Sequence, residues 1–445
     1  MSENLLSVGL DVGTTSTQMV FSRLRIENKA GSFAVPRMEI EERQILYKSP
    51  VYFTPLLQTD LVDAARLREI VDKEYAAAGI RKADVDTGAI IITGETSRKE
   101  NARAVLEQLS GYAGDFVVAT AGPDLESVLA AKGAGALEYS ARTGKTVLHM
   151  DIGGGTSNLA LIEDGKIVAT TCLNVGGRLL KMDQTGRLTY VSPVLEGIFE
   201  KKTGEVVNRE EVLALCEKLV QTLEAASGLR EDGELTEKIR TAGSSAFAPP
   251  RNAVISFSGG VADCIETEKP WLAFGDMGPE LGRVIKKSRL CSGAYRLGSE
   301  TIRATVIGAG CHSAQLSGST VFYQNIVFPL KNLPVVQSID MLAKLDGAGV
   351  LAMRGMRAPS YGAIAELAEQ ILEKLSVKML ILSLEQDMAK ALGQILALRM
   401  GKDAKILCID RVRLEEGSYL DVGAPVGPAL PVVVKTLILN KGETE

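Results

Sequence analysis

An α/β fold built on a duplicated unit is the architecture this sequence predicts, and three observations predict it. Strand-length apolar segments alternate with segments of helical periodicity along the whole 445 residues. A strand ending in Asp-x-Gly, then small hydroxyl residues, then a second strand occurs at Val8-Gly-Leu-Asp-Val-Gly-Thr-Thr-Ser16. It recurs, with changes, at Leu148-His-Met-Asp-Ile-Gly-Gly-Gly-Thr-Ser157. Glycine supplies 44 residues, above the usual ~7%, so tight turns and close backbone approaches are expected. The two copies stand too far apart for a solenoid repeat and suit two homologous domains facing each other.

Taken in order, Leu5–Asp11 reads as a buried strand turned by Gly13-Thr14-Thr15, and Thr17–Leu24 as the next. Arg37–Tyr47 and Val51–Phe53 are further strands, broken at Pro50 and Pro55. Asp60 is expected to cap a helix with Leu61, Ala64, Ala65 and Leu67 on its apolar face, ended by Gly79. Gly88–Thr93 is a strand, Ser97–Leu109 a helix, Phe116–Ala119 a strand, Leu125–Ala134 a helix and Thr146–Asp151 a buried strand. Asn158–Glu163 and Lys166–Thr171 flank Asp164-Gly165, a hairpin signal because glycine accepts positive φ. Arg209–Ser227 is a long helix, and the charge clusters at Glu200–Glu211 and Arg230–Arg240 are solvated surface and loop. Ala253–Phe257 is a strand entering Ser258-Gly259-Gly260, Glu280–Ser288 a helix and Ile302–Ile307 a strand. The last section alternates again: helices at Ala363–Leu375 and Gln386–Met400, strands at Lys378–Leu382, Lys405–Ile409 and Pro431–Leu439.

Composition narrows the chemistry. With 50 Lys+Arg against 55 Asp+Glu and no long basic run, the chain is not a nucleic-acid binder. No apolar stretch approaches the ~18 residues of a membrane span, so no membrane association and a cytosolic location are expected. The six cysteines are scattered without a CxxC and are expected to be reduced and mostly buried. Only His149 and His312 are present, which argues against a zinc site; His149, within an apolar strand, is expected to be structural. Thr143-Gly-Lys-Thr146 mimics the end of a Walker A loop, but Tyr139 stands where its first glycine belongs and the segment precedes a strand instead of following one.

Each copy of the repeated motif suits phosphate and a hard cation. The glycines let backbone amides approach a ligand and form a concave anion site, and the hydroxyls add donors. An aspartate at a strand end can hold hydrated Mg²⁺ or orient water. Two such turns on facing domains would grip a polyphosphate from both sides. Gly259-Gly260, after an apolar strand, lets a flat group reach the backbone. Glu95, in Thr93-Gly-Glu-Thr96, either positions a water or belongs to a helix-capping cluster, and Thr93 is a candidate contact to Mg²⁺.

The three loops together resemble the actin / sugar kinase / heat-shock-chaperone ATPase superfamily. Asp11–Thr15 is similar to its first phosphate loop, Asp151–Thr156 to its second and Ser258–Gly260 to its adenosine loop. Ala121–Ala136, with Glu126 and Gly133-Ala-Gly135, resembles the first connecting helix; Glu280–Ser288 and Gly308-Ala-Gly310 are the two candidates for the second. The resemblance implies duplicated actin-like (ribonuclease-H-like) domains with a nucleotide cleft between them. Residues 1–145 would form the first lobe and 146–320 the second, with the adenosine loop. Residues 321–445 form a C-terminal α/β segment, either completing the second lobe or serving as a partner-binding module.

Within the superfamily the chain resembles the reactivating factors of ethanolamine ammonia-lyase. The likeness rests on Val8–Phe21, Ile90–Asn101, His149–Asn158 and the tail Gly423-Ala-Pro-Val with Pro431-Val-Val-Val-Lys-Thr-Leu437. It implies a chaperone-like, ATP- and Mg²⁺-dependent factor that releases damaged cobalamin from the lyase, so that intact adenosylcobalamin enters. It also implies cytoplasmic work at the ethanolamine-utilisation microcompartment, and it leaves a homodimer open. The implied roles are Asp11, Asp151 and Glu95 in catalysis and Asp11, Asp151 and Thr93 at the metal. Gly13, Thr14, Thr15, Gly153, Gly154, Gly155, Thr156, Gly259 and Gly260 would lie at the nucleotide. A small-molecule kinase on the same scaffold and a non-catalytic nucleotide-binding scaffold are the competing readings.

Overall fold

A computed structural model describes residues 3–13, 16–28, 38–58, 61–93, 101, 105, 109, 117–121, 123–312, 315–317, 320–342, 348–374, 379–414, 418–425 and 429–435. Two sheets of one topology form its first three hundred residues. In the first lobe, β1 (Glu3–Val12), β2 (Ser16–Asn28) and β3 (Met38–Lys48) form an antiparallel meander, and β4 (Thr87–Ile92) and β5 (Val117–Ala121) add parallel strands on the far side of β1. The order is β3-β2-β1-β4-β5, with Tyr52–Phe53 paired to the start of β2. The second lobe repeats it. There β6 (Val147–Ile152), β7 (Ser157–Glu163), β8 (Lys166–Leu173), β9 (Val254–Ser258) and β10 (Tyr295–Leu297) run in the order β8-β7-β6-β9-β10. This shared order is the duplicated actin-like, ribonuclease-H-like fold that the superfamily resemblance implies.

Helix α1 (Ala64–Ala78) covers one face of the first sheet, burying Leu67, Val71 and Tyr75, with the Tyr75 ring edge-on to Phe21 at 4.8 Å. Its N-cap is Asp63, whose carboxylate accepts from the Ala65 and Arg66 amides. The expected cap, Asp60, lies outside the described residues, and Leu61–Val62 is a short strand. Most of the expected Ser97–Leu109 helix lies outside them too.

After β5 the chain changes lobes. Helices α2 (Pro123–Gly133) and α3 (Ala136–Thr143) pack on β6, β7 and β8 of the second sheet, on the far side of the cleft from the lobe that residues 1–145 were expected to form. Helix α4 (Arg209–Ala226) opens with a reciprocal capping box between Asn208 and Glu211 and packs beside α5 (Gly278–Lys287). Glu234–Ile239, within the expected Arg230–Arg240 loop, is a short helix.

Ile302–Ile307 is not a strand. Its β-branched residues lead into helix α6 (Ala304–His312), which crosses back to pack on β1, β2 and β4 of the first sheet. This makes the Gly308-Ala-Gly310 segment, and not Glu280–Ser288, the second connecting helix. Helices α2 and α6 touch through their backbones. A Cβ on Gly133 would sit 1.9 Å from the Ala304 carbonyl oxygen, and one on Gly308 2.0 Å from that of Leu129. The intimacy of this crossing overrides the strand propensity of the sequence.

Residues 315–435 build a third sheet of eight strands, which shares no strand with the second lobe's. Its centre is parallel: β11 (Leu330–Val336), β12 (Val350–Met353), β13 (Met379–Leu384) and β14 (Lys405–Asp410). Helices α7 (Tyr361–Lys374) and α8 (Ala389–Met400) cover one face. Antiparallel β15 (Tyr419–Val422) and β16 (Pro431–Lys435) extend the sheet beyond β11, and their Leu420, Val422 and Val432 join the core of the other face. Leu316 packs on Leu5, Leu24 and Ile26, so this unit rests on the first lobe.

Candidate functional site

The strand pairing carries the two repeated aspartates to one place. Asp11 pairs with Ile91 of β4, and the chain beyond β4 delivers Thr93, whose hydroxyl donates to Asp11 Oδ1 at 3.0 Å. Asp151 pairs with Ser258 at the end of β9, and the Ser258 hydroxyl donates to Asp151 Oδ1. A second hydroxyl, Thr305 of α6, reaches Asp151 Oδ2 at 3.3 Å. The two hairpin turns close alike: the Gly13 amide donates to the Ser16 carbonyl at 2.8 Å and the Gly153 amide to the Thr156 carbonyl at 2.9 Å.

Both hairpins open onto one cleft. Asp11, Gly13, Thr93, Asp151, Gly153, Gly154, Gly155, Thr156, Gly259 and Gly260 all line it, so the structure brings together the sequence-predicted residues that it describes. Thr14, Thr15 and Glu95 lie outside the described residues. Gly259 adopts φ +87° directly against β6, where a Cβ would lie 2.2 Å from the Ile152 carbonyl oxygen; only glycine serves there. Glu126 of α2 also lines the cleft.

Burial dominates the electrostatics. It pushes Asp11 up to about 7, against the pull of the Thr93 hydrogen bond and with a further push from the charge of Asp151. Burial likewise raises Asp151, but only to about 6, because Ser258 and Thr305 both donate to its ionised form. His149, beneath Asp151, is fully buried between the Ser256 and Ser258 hydroxyls, and burial and Arg296 lower it to about 3. It is a neutral structural side chain, as expected. The His312 side chain lies outside the described ones. All six cysteines are free, five of them buried.

The donor set fits magnesium. Two buried carboxylates and nearby hydroxyls offer oxygen alone, and the described residues hold no cluster of three or more His, Cys, Asp or Glu suited to a metal. Mg²⁺ keeps most of its water and takes one or two carboxylates plus phosphate oxygens, so a pair of acids is the appropriate provision.

Sequence reasoning missed four parts of this cleft. Arg178 and Asp276 line it as an ion pair, Nε to Oδ2 at 3.0 Å, and Lys269 and Phe274 line its outer part. The Gly177 and Arg178 amides donate to the Gly153 and Gly154 carbonyls at 2.9 and 2.7 Å, bracing the second hairpin from behind. A Gly-Gly-Arg run at 176–178, shortly after the buried end of β8, was the available signal. Thr305 escaped because its segment reads as a strand. Among the described residues no helix is long and apolar enough to cross a membrane.

Comparison with known proteins gives concordant matches. The family model described as ethanolamine utilisation protein EutA matches residues 3–347 and 341–440. The ethanolamine ammonia-lyase reactivase EutA of Escherichia coli K12 is 38% identical over 465 residues, covering 98% of this chain and 99% of that protein. The protein of the same description from Salmonella typhimurium LT2 matches with the same identity and coverage. Among solved structures, the ethanolamine utilization protein EutJ from Carboxydothermus hydrogenoformans is 18% identical, with 68% of this chain and 88% of that one covered and a TM-score of 0.36. A PPX-GPPA enzyme of Aquifex aeolicus is 15% identical, with 69% and 89% covered and a TM-score of 0.38.

Proposed function

We propose that this chain, which belongs to the ethanolamine utilisation protein EutA family, is an ATP-dependent reactivating factor for ethanolamine ammonia-lyase. It releases damaged cobalamin so that intact adenosylcobalamin binds. The observation that carries the reading is the convergence of both acid-bearing hairpins on one cleft, in a chain that matches curated reactivases over 98% of its length.

In this reading Gly13, Thr14 and Thr15 hold phosphate from the first lobe, and Gly153, Gly154, Gly155 and Thr156 from the second. Gly259 and Gly260 flank the adenosine. Asp11, Asp151 and Thr93 hold Mg²⁺, which when bound neutralises phosphate charge. Asp11 and Asp151 also orient the attacking water, with Glu95 in support. Catalysis by such a site is positioning and charge stabilisation, without covalent chemistry from the protein. The useful output is the angle between the lobes, set through α2 and α6. ATP and ADP must favour different angles, since only differential affinity can drive a conformational change. The third unit, at the outer side of the first lobe, is the partner-binding module that carries the motion to the lyase. The setting is the cytoplasm at the ethanolamine-utilisation microcompartment.

The test is reactivation. The protein is incubated with hydroxocobalamin-inhibited ethanolamine ammonia-lyase, ATP, Mg²⁺ and adenosylcobalamin, and deamination is followed. Recovery that requires both the protein and ATP supports the reading. No recovery, or phosphate transfer from ATP to a small hydroxyl compound, removes it in favour of a scaffold or a kinase.

A further inference from the structure

Arg178 is an arginine with a committed half and an uncommitted half. Its amide is fixed to the second hairpin through the Gly154 carbonyl, so its side chain starts at the loop assigned to phosphate. Its Nε is fixed on Asp276 Oδ2 at 3.0 Å, and Asp276 is itself held by the Gly278 amide, which donates to Oδ1 at 2.9 Å. The two Nη groups have no hydrogen-bond partner among the described residues, and the side chain lines the cleft.

The charge inventory of the cleft makes this residue stand out. Among the described lining residues, Asp11, Glu126, Asp151, Asp263 and Asp276 are acidic, and Arg178 and Lys269 are the cations. A nucleoside triphosphate entering so acidic a cleft needs compensation beyond one divalent cation. A guanidinium whose outer edge is free offers a planar fork that matches phosphate oxygens, and its inner edge is already oriented. Arg178 also touches the opposite lobe: its Cζ lies 5.8 Å from the ring centroid of Phe53, which pairs with Ser16 beside the first hairpin. The Phe53 side of the contact is otherwise open, the residue being 83% exposed.

We infer that Arg178 binds the terminal phosphate of the nucleotide through its Nη groups, with Asp276 as the positioning residue behind it. Phe53 of the first lobe senses where the guanidinium sits. The inference rests on the nucleotide reading above and deepens it, because it names how the lobes distinguish triphosphate from diphosphate. ATP presents the phosphate that Arg178 grips, and ADP does not. The stacking with Phe53 then links that grip to the opposite wall of the cleft, at the modest strength of an exposed cation–π pair.

The experiment measures binding of ATP·Mg²⁺ and ADP·Mg²⁺ by titration calorimetry to the full-length wild type, Arg178→Ala, Arg178→Lys, Asp276→Asn and Phe53→Ala. In Arg178→Ala the Kd for ATP rises at least tenfold and that for ADP changes less than threefold. Arg178→Lys keeps the charge without the fork and recovers part of the ATP affinity. Asp276→Asn and Phe53→Ala show the same selective weakening to a smaller degree. If wild type binds neither nucleotide, the nucleotide reading falls and this inference with it. If wild type prefers ATP and Arg178→Ala, or Arg178→Lys should the alanine variant not fold, keeps the wild-type ATP:ADP ratio, the inference alone is overturned.

Discussion

Asp11 and Asp151 end equivalent strands of equivalent sheets, are 9% and 5% exposed, and yet burial raises their pKa values unequally, to about 7 and about 6. Burial is the largest influence on both. The difference lies in what the neighbouring strand and helix deliver: one hydroxyl to Asp11, from Thr93, and two to Asp151, from Ser258 and Thr305. Each hydroxyl stabilises the ionised form, and Asp11 also feels the charge of Asp151. Duplication therefore copied the acid and its turn but not the surroundings. Asp151 has more support for its ionised form than Asp11 has.

The bluntest way to break this comparison is to remove the acids. Asp151→Ala should lower ATP hydrolysis at least ~100-fold, the size of effect seen when a preorganised electrostatic group is lost, and abolish reactivation. Asp11→Ala should do the same if both hairpins serve one ligand. Phosphate release and deamination assays on the two variants read this directly, and persistence of both activities in Asp151→Ala removes the assignment.

A subtler perturbation reaches the second acid through one of its hydroxyl partners. Gly308→Ala places a methyl against the Leu129 carbonyl and must shift α6, which carries Thr305. Overpacking of this kind costs ~1–3 kcal/mol, read as a lower Tm. Because Thr305 touches Asp151 and not Asp11, the magnesium dependence of nucleotide binding should weaken together with it.

The pH profile sharpens the comparison further. In the proposed site both carboxylates must be ionised to hold the cation, so Mg²⁺-dependent nucleotide affinity should be full at pH 8, fall through about 7 as Asp11 gains a proton, and fall more steeply below about 6 as Asp151 follows. A hydrogen bond to a charged group is worth ~1.5–3 kcal/mol, so Thr305→Val should move the lower limb up by about one to two pH units. Titrations from pH 5 to 8.5 show whether the two limbs merge.

The smallest effect concerns stability without metal. Both folded values lie above the unfolded carboxylate value of 3.8, so the stability contributed by these groups is complete below that pH and is lost as pH rises through about 6 and about 7. With chelator present, Asp11→Asn should be more stable than wild type at pH 8 and equal to it at pH 4. Thermal melts at the two pH values check the sign, and added Mg²⁺ should erase the gain.

The site was legible where chemistry is written in neighbours. Asp-x-Gly turns, Gly259-Gly260 and the hairpin at Asp164-Gly165 follow from local conformational demands, so residue type and adjacency were enough. Thr93 was found because it directly follows an apolar strand. Arg178, Asp276 and Phe53 were not, because they meet only after the lobes face each other, and no local pattern ties residues 53, 178 and 276. Helix α6 was misread for a related reason: Ile302, Thr305, Val306 and Ile307 favour a strand when considered alone, while the glycines that follow are needed by a partner helix almost two hundred residues earlier. In the third unit β13 and β14 were expected as strands of continuous apolar residues. Short β12 and β15, and β11 with Lys331 and Pro334 in its span, fell below what periodicity detects.

At the crossing of α2 and α6, main chain lies on main chain, with no side chains between Gly133 and Ala304 or between Gly308 and Leu129 to act as a cushion. Such a pivot has almost no slack. In the reading proposed above, a tilt started at Asp151 and Thr305 would pass through this crossing into the first sheet and on to the eight-stranded unit that rests on it.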